Sequence, residues 1–281
     1  MTQQPIIAFV DGSSYSSVIC EYAAFFAKRA GLPVKLYHVV RVHPNEPARD
    51  LSGAINLGAR SKLLDELTTA DELQAKELHS EGWHILAQAK SELENLGIAS
   101  VELRLRAGDI AQSLSTKEKA GELVIIGKRG EVNAQSKTRL GQNFERLVRA
   151  STKPVFVSNA DYRELSNILV AFDGSAPSQK ALMSVLQNPL FAARQVTALT
   201  VNGSQNADIS LFKDKLQNEA NLTWKDAFGA AKQVILDEIK SESYDMLAMG
   251  AYGHSKLRNF FIGSTTTALI NSARVPILLS K

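Results

Sequence analysis

Short, continuous apolar runs recur along the chain and alternate with longer stretches whose apolar residues have helical spacing. In the first half the runs lie at 6–10, 34–40, 101–106, 123–126 and 154–158, and in the second half at 168–172, 195–201, 221–225, 246–249 and 275–279. Runs that are apolar throughout are typical of parallel strands buried on both faces and covered by helical crossovers. The pattern predicts an α/β protein with open, doubly wound, Rossmann-like parallel sheets.

Three sequence blocks occur twice, in the same order. IIAFVDGS at 6–13 matches ILVAFDGS at 168–175, LVIIGKRG at 123–130 matches MLAMGAYG at 246–253, and KPVFVS at 153–158 matches VPILLS at 275–280. The repetition indicates a duplication, with domains at 1–158 and 167–281 and a polar linker at 159–166. The final strand of each domain would leave an exposed apolar edge, so we expect the two to pair and form an intramolecular pseudo-dimer about an approximate two-fold axis.

The second copy is shorter mainly between its second and third strands, where the first copy has residues 44–95. Their leucines follow helical spacing with Glu and Lys between them, which predicts a long amphipathic excursion, with a break into two helices near Gly82 as one option. His79 and His84 lie here without a cluster of acidic or thiol ligands. Solvated or core-packing histidines are therefore the better interpretation than a metal site.

Composition narrows the class of protein. Of the 281 residues, 44% are hydrophobic and 22% are charged, as in an ordinary soluble globular protein, and the net charge is only +3. Basic residues are interspersed with acidic ones, so no nucleic-acid partner is predicted. The start of the chain lacks the features of a signal peptide and no stretch reaches membrane-spanning length, which predicts a cytoplasmic protein without a membrane partner. The single cysteine, Cys20, lies in an apolar helical segment and is predicted to be a buried small hydrophobe rather than a catalytic thiol.

A glycine-rich motif follows the apolar run at 246–249. Gly250-Ala-Tyr-Gly253 is separated by nine residues from Gly263-Ser264-Thr265, where a helix should begin. Glycines let the backbone approach an anion, and hydroxyls beside the unpaired N–H groups of a helix N-terminus favour phosphate. The alternative is an ordinary strand–helix connection in which the glycines serve the turn and Ser or Thr caps the helix.

Taken together, the two copies resemble tandem universal stress protein domains over nearly the whole chain apart from the 44–95 excursion. The family pattern is an acidic residue after the first strand, then Gly-x-x-Gly, nine residues, and Gly followed by Ser or Thr. In this sequence the pattern is matched by Asp173, Gly250, Gly253, Gly263 and Ser264.

The resemblance implies a nucleotide lying across the carboxyl ends of the strands of the second domain. Asp173 would lie near the ribose or adenine, the backbone of Val201 would meet the adenine ring, and Met249 would pack beside it. The resemblance assigns the phosphates of ATP, with Mg²⁺ as an option on their oxygens, to Gly250, Gly253, Gly263, Ser264 and Thr265. For Asp173 the alternative is that its side chain caps the helix that follows Gly174-Ser175.

The first copy departs from the family pattern. Ten residues rather than nine separate Gly130 from Gly141, and Gln142-Asn143 replaces the hydroxyl pair. We therefore predict a weakened or lost first site, with Asp11 and Val39 kept as fold elements, although Lys128 and Arg129 could still attract an anion.

Three functions follow from this interpretation. The first is a stress-response sensor or regulator that binds ATP or AMP mainly in the second domain, with little or no hydrolysis, and signals to a regulatory protein partner; a homodimer of the tandem chain stays open. The second is a slow ATP-hydrolysing enzyme, for which His254 is the one imaginable base. The third is a nucleotide-free protein-interaction module, which requires both sites to be inactive.

Overall fold

The computed structural model describes residues 4–40, 57–108, 110, 121–128, 142–192, 194–203, 207–241, 244–251 and 264–281. For 57–75, 142, 143, 207 and 264 it describes the backbone alone. Among the helices in these ranges, none combines the length and the apolar character needed to cross a membrane.

Ten strands form where the apolar runs predict them. They are β1 Ile6–Phe9, β2 Val34–Val40, β3 Val101–Ala107, β4 Leu123–Gly127, β5 Val155–Ser158, β6 Asn167–Ala171, β7 Gln195–Val201, β8 Leu222–Ala227, β9 Met246–Gly250 and β10 Ile277–Ser280. The described helices are α1 Tyr15–Ala30, α2 Leu57–Asn95, α3 Gln142–Ala150, α4 Ala176–Gln187, α5 Ala207–Lys215, α6 Ala231–Ser241 and α7 Ser264–Ser272. A short 3₁₀ turn, Pro189–Phe191, follows α4.

The strands join into one ten-stranded sheet in the order β3-β2-β1-β4-β5-β10-β9-β6-β7-β8. Neighbouring strands are parallel except β5 and β10, which pair antiparallel through Phe156 opposite Leu278. The predicted pairing of the two final strands is therefore confirmed. The two parallel sheets expected from the sequence merge at this seam into one sheet with a pseudo-two-fold arrangement.

Helices cover both faces of the sheet, as in a doubly wound fold. One face packs against apolar residues of α1, α2, α4 and α5, and the other against those of α3, α6 and α7. At the seam the fully buried ring of Phe156 lies 4.7 Å from Tyr22 and 5.1 Å from Phe26, centroid to centroid. Phe26 also contacts Phe191 of the second half at 5.4 Å, so this aromatic cluster joins the two halves.

Helix α2 is continuous from Leu57 to Asn95, so the option of a break near Gly82 is wrong. A Cβ at Gly82 would lie 2.6 Å from Leu105 Cδ1 and 3.0 Å from His38 Cδ2. The glycine lets the helix approach β2 and β3 closely, and this packing outweighs its low helix propensity. His79 and His84 are exposed on this helix.

Cys20 is fully buried in α1, and its Sγ lies 3.7 Å from the carbonyl oxygen of Ala89. Burial, reinforced by nearby Glu92, raises the pKa of the thiol to about 12. The side chain packs as the small hydrophobe that its helical context predicts.

Two lysines cross the seam in opposite directions. Lys128 is 7% exposed, and its Nζ donates to the carbonyl oxygen of Ala273, just beyond α7, at 3.1 Å. Lys281 Nζ donates to the carbonyl oxygens of Arg149 and, at 3.0 Å, Ser151, at the end of α3. Each ammonium therefore lies at a helix C-terminus of the other half, where the helix dipole favours positive charge. This placement contradicts the expectation that Lys128 attracts a ligand anion in the first half; Arg129 lies outside the described residues.

Lys281 should make stability depend on pH. Burial, with a smaller effect from Arg149, lowers its pKa from 10.5 to about 8. Between these values the folded protein binds fewer protons than the unfolded chain, so the free energy of unfolding rises as pH increases from 8 to 10.5. Lys281→Met removes this titrating group. Between about pH 7.5 and about pH 10, we expect the free energy of unfolding of the native protein, measured in urea, to rise relative to that of the variant. A difference that stays constant with pH would contradict this assignment.

Candidate functional site

The second half contains a crevice where its strand order reverses. From β6 the chain crosses through α4 to β7 on one side, whereas β9 pairs with the other side of β6. Asp173 follows β6 and Gly250 ends β9, so both lie at the carboxyl edge of neighbouring strands. Open α/β sheets bind ligands at such a switch point.

Asp173 organises the turn between β6 and α4. Its Oδ1 accepts hydrogen bonds from the backbone N–H of Ser175 at 3.0 Å and from the Ser175 hydroxyl at 2.5 Å. Ser175 is the N-cap of α4, and its Oγ accepts from the N–H of Ser178 at 3.4 Å. The alternative that Asp173 caps α4 is therefore wrong: the N-cap is Ser175, and Asp173 accepts hydrogen bonds from that residue. Asp173 itself is exposed at the crevice.

The first half builds the same turn. Asp11 Oδ1 accepts from the N–H of Ser13 at 3.1 Å and from its hydroxyl at 2.6 Å. Gly12 and Gly174 both have a φ of 79°, a left-handed conformation that favours glycine. Because the turn forms in both halves, the Asp-Gly-Ser block is a local folding requirement and does not by itself indicate a ligand.

The two turns have different surroundings. In the first half, α2 lies against the turn, since a Cβ at Gly12 would meet Ile85 Cδ1 at 3.0 Å. The corresponding crossover helix of the second half, α5, is only nine residues long, against 39 in α2.

An apolar wall lies beside the second crevice. Met249, near the end of β9, is 6% exposed, and Val201 at the end of β7 is half-buried against the same apolar cluster. Beyond Val201, Asn202 has a positive φ of 57° and joins the ends of β7 and β8. Its Nδ2 donates to the carbonyl oxygen of Gly229 at 2.7 Å, and its Oδ1 accepts from the Gly229 N–H at 3.0 Å. Our sequence prediction did not include Asn202, although Asn-Gly after a strand is a recognised turn signal.

Gly250 has a packing role that its motif does not reveal. A Cβ at this position would lie 2.7 Å from Pro177 Cβ and 2.8 Å from the backbone N of Ser178, in the first turn of α4. Glycine is therefore required here for close approach of strand and helix, whether or not a phosphate also comes near.

The remaining motif residues belong to the loop and to the start of α7. Gly253 and Gly263 lie outside the described residues. Ser264 is the first residue of α7, and Thr265 is exposed in its first turn. The first N–H groups of a helix have no partner within the helix and lie at the positive end of its dipole, so the start of α7 suits an anion. Of the predicted site, Asp173, Val201, Met249 and Gly250 are thus placed along one edge of the sheet.

We expect Gly250→Ala to destabilise the protein by about 1–3 kcal/mol without any ligand, because the new methyl group meets backbone atoms that cannot shift independently. Urea unfolding of nucleotide-free protein measures the change. Gly203→Ala is a suitable control, since its Cβ would mainly meet the end of a flexible side chain, Ile209 Cδ1 at 2.7 Å. Equal losses in the two variants would contradict the packing role of Gly250.

The model of the universal stress protein family matches residues 3–159 and 205–281. A universal stress protein of Synechocystis is 31% identical over 282 residues, covering 97% of this chain and 98% of that protein. A universal stress protein of Mycobacterium tuberculosis is 23% identical over 99% of this chain and 97% of its own length. The crystal structure of a universal stress protein from Archaeoglobus fulgidus superimposes with a TM-score of 0.73 at 18% identity, covering 100% of this chain and 99% of that one.

Proposed function

The chain belongs to the universal stress protein family, and on that premise we propose that it is a cytoplasmic stress-response protein that binds ATP or AMP. We place the nucleotide mainly in a second domain at 167–281, linked by 159–166 to a first domain at 1–158. The protein acts as a sensor or regulator with little or no hydrolysis. A regulatory protein partner reads the bound state, and a homodimer of the tandem chain is an open alternative.

The observation that carries this proposal is the asymmetry between the two halves. In the second half, α7 begins at Ser264, so the Ser264-Thr265 pair lies in its first turn, where a helix N-terminus favours an anion. In the first half, α3 begins at Gln142, so the sequence has the amides of Gln142-Asn143 at the positions of the two hydroxyls. The extra loop residue before Gly141 and the contact of Ile85 with the Gly12 turn both favour the second half.

The residues of the second crevice fit a nucleotide chemically. Apolar Val201 and Met249 offer a surface for adenine, and the exposed carboxylate of Asp173 can accept hydrogen bonds from ribose hydroxyls. We assign the phosphates to Gly253, Gly263, Ser264 and Thr265, with Gly250 supporting the strand end from which the loop leaves. Mg²⁺ is proposed to accompany the phosphate oxygens.

A ligand that binds only the folded state stabilises it, by about 2.7 kcal/mol at a concentration one hundred times the Kd.

To test the proposal, the purified protein is heat-denatured and the released small molecules are identified. Protein from which bound nucleotide has been removed is then titrated with ATP and AMP by calorimetry. We expect one nucleotide per chain. Protein that carries no nucleotide and binds neither would instead support the nucleotide-free interaction module.

Hydrolysis of ATP is expected to be far slower than the roughly 10 per second of a typical enzyme, because the glycine-rich motif supplies binding groups and no identified general base. Turnover is measured with radiolabelled ATP. His254, which lies outside the described residues, is the control: His254→Ala should leave any trace activity nearly unchanged. Turnover near the typical enzyme rate, lost in that variant, would favour the enzyme instead.

A further inference from the structure

A groove of about 520 Å³ opens at the seam, on the face of the sheet covered by α4. It is bounded by α4, by the turn that precedes β5, by the start of β4 and by the end of β10. Lys153, Lys180 and Lys281 all line it, and Glu122 is the one acidic side chain among its described lining residues. The predicted nucleotide residues that the structure describes do not line the groove.

The pseudo-two-fold arrangement relates this groove to the space between α1, the end of β5 and the start of β9, through which the linker passes and which we call the first-half groove. After Ser158 the linker crosses α1, where the Tyr162 ring lies 4.9 Å from that of Tyr22. The backbone N–H of Arg163 donates to the Tyr22 hydroxyl at 3.1 Å, and Leu165 is fully buried.

The far end of the linker is held by a carboxylate. Ser166 and Asn167 donate their backbone N–H groups to Asp245 Oδ2 at 3.0 and 2.9 Å, immediately before β9. The first-half groove therefore binds a chain segment without regular secondary structure through a side-chain hydroxyl on the helix and a carboxylate at the strand start.

Both binding groups have counterparts in the open groove. Alignment of the repeats on Asp11 and Asp173 puts Ser184 at the place of Tyr22, and alignment on β4 and β9 puts Glu122 at the place of Asp245. Ser184 again offers a hydroxyl, but without the bulk of an aromatic ring. Glu122 accepts from Asn188 Nδ2 at 3.0 Å, which leaves its carboxylate partly satisfied within the protein.

No described segment of the chain occupies the open groove. Lys281 follows Ser280 and directs its Nζ to the end of α3. Ser280 is 3% exposed, and its buried hydroxyl has no hydrogen-bond partner among the described residues. Side chains alternate along a strand, so Ser280 faces the same side as Leu278, which packs with Leu182 of α4. The floor of the groove is thus polar.

We propose that the open groove binds an extended acidic segment of a partner protein. The pseudo-symmetric groove holds a segment of this kind by its backbone, and the charge of the open groove selects acidic side chains. Because the ammonium of Lys281 is bound at the end of α3, Lys153 and Lys180 supply the positive charge of the groove against Glu122. An acidic segment is therefore favoured over a neutral or basic one. Binding should weaken with added salt, because these lysines are partly exposed and screened by ions.

The probe is a fluorescein-labelled peptide with the sequence of residues 158–167 carrying Arg163→Glu, measured by fluorescence anisotropy against the full chain. We expect saturable binding, weakened about tenfold or more by Lys153→Glu with Lys180→Glu. Lys215→Glu with Lys232→Glu changes the net charge equally at exposed sites outside the groove and should have little effect. Ser184→Trp should abolish binding by filling the groove without changing its charge.

The proposal would be overturned if the probe did not bind at millimolar concentration, or if the two lysine double variants lost the same amount of peptide affinity. It would also be overturned if an equal concentration of pyrophosphate displaced the peptide completely, because that would indicate a site for small anions. ATP titration of each variant separates this proposal from the nucleotide site, since the groove variants should keep their nucleotide stoichiometry. Thermal unfolding checks that Ser184→Trp is folded, and the lysine pair tests the groove independently if it is not.

Discussion

Gly263→Val is expected to abolish ATP binding by the whole chain. Residue 263 immediately precedes α7, so a β-branched side chain there would crowd the backbone where phosphate must approach the helix N-terminus. Each hydrogen bond to a charged phosphate contributes roughly 1.5–3 kcal/mol, and losing two would weaken binding about a hundredfold or more. Calorimetry with emptied protein measures the loss.

Gly141→Val is the matched change in the first half, because residue 141 immediately precedes α3. We expect it to leave both the affinity and the stoichiometry of ATP unchanged, with thermal unfolding confirming that both variants are folded. Two sites per chain in the native protein, or loss of binding in the Gly141 variant alone, would show that the nucleotide had been assigned to the wrong half.

Phe156→Ala should destabilise both halves together, by about 3–5 kcal/mol. The ring is fully buried at the seam between Tyr22 and Phe26, and its strand pairs with β10 through Leu278. A cavity here removes contacts on which both halves depend. We therefore expect one cooperative transition, shifted as a whole to lower urea concentration.

The two tryptophans provide a separate reporter for each half. Trp83 lies in α2 and Trp224 in β8, so Trp224→Phe and Trp83→Phe backgrounds report on the first and second half respectively. Coincident midpoints that both shift with Phe156→Ala are the expected result, whereas a shift in only one background would mean that the halves unfold independently. Phe228→Ala is the control, because that ring is 74% exposed and its loss should cost less than about 0.5 kcal/mol.

The strands and their pairing at the seam were predictable because both depend on patterns that are visible in the amino-acid sequence. Buried parallel strands require continuous apolar runs, and an unpaired apolar edge at each final strand requires cover. The break at Gly82 was a wrong option for the opposite reason. From its neighbours in sequence alone, a glycine indicates a weak point in a helix. Here the helix continues because Gly82 packs closely against Leu105, and the sequence pattern does not reveal this contact between separate elements.

In the candidate site, too, some features were predictable from the sequence and others were not. Motif spacing predicted which residues reach the carboxyl edge of β6 and β9, since that depends on topology. It could not predict that Gly250 packs on α4, that Ser175 rather than Asp173 caps that helix, or that Lys128 extends across the seam to Ala273. Gly250 and Lys128 depend on how distant elements approach each other in the assembled sheet, and the choice between Ser175 and Asp173 depends on the backbone geometry of the turn.

Merging two sheets at β5 and β10 also reduces the number of exposed sheet edges at which another chain could pair. Two separate sheets would present four open edges, whereas the merged sheet, in the part of the chain that the structure describes, has β3 and β8 as its two outer strands. Both terminal strands carry charge: Glu102 of β3 pairs with Lys35 at 3.1 Å, and Asp226 of β8 pairs with Lys213 at 2.8 Å. Charged side chains on an outer strand oppose the addition of a foreign strand. The fusion of the two repeats therefore lowers the number of edges at which the sheet could be extended by another chain, and charge on the outer strands opposes that extension further.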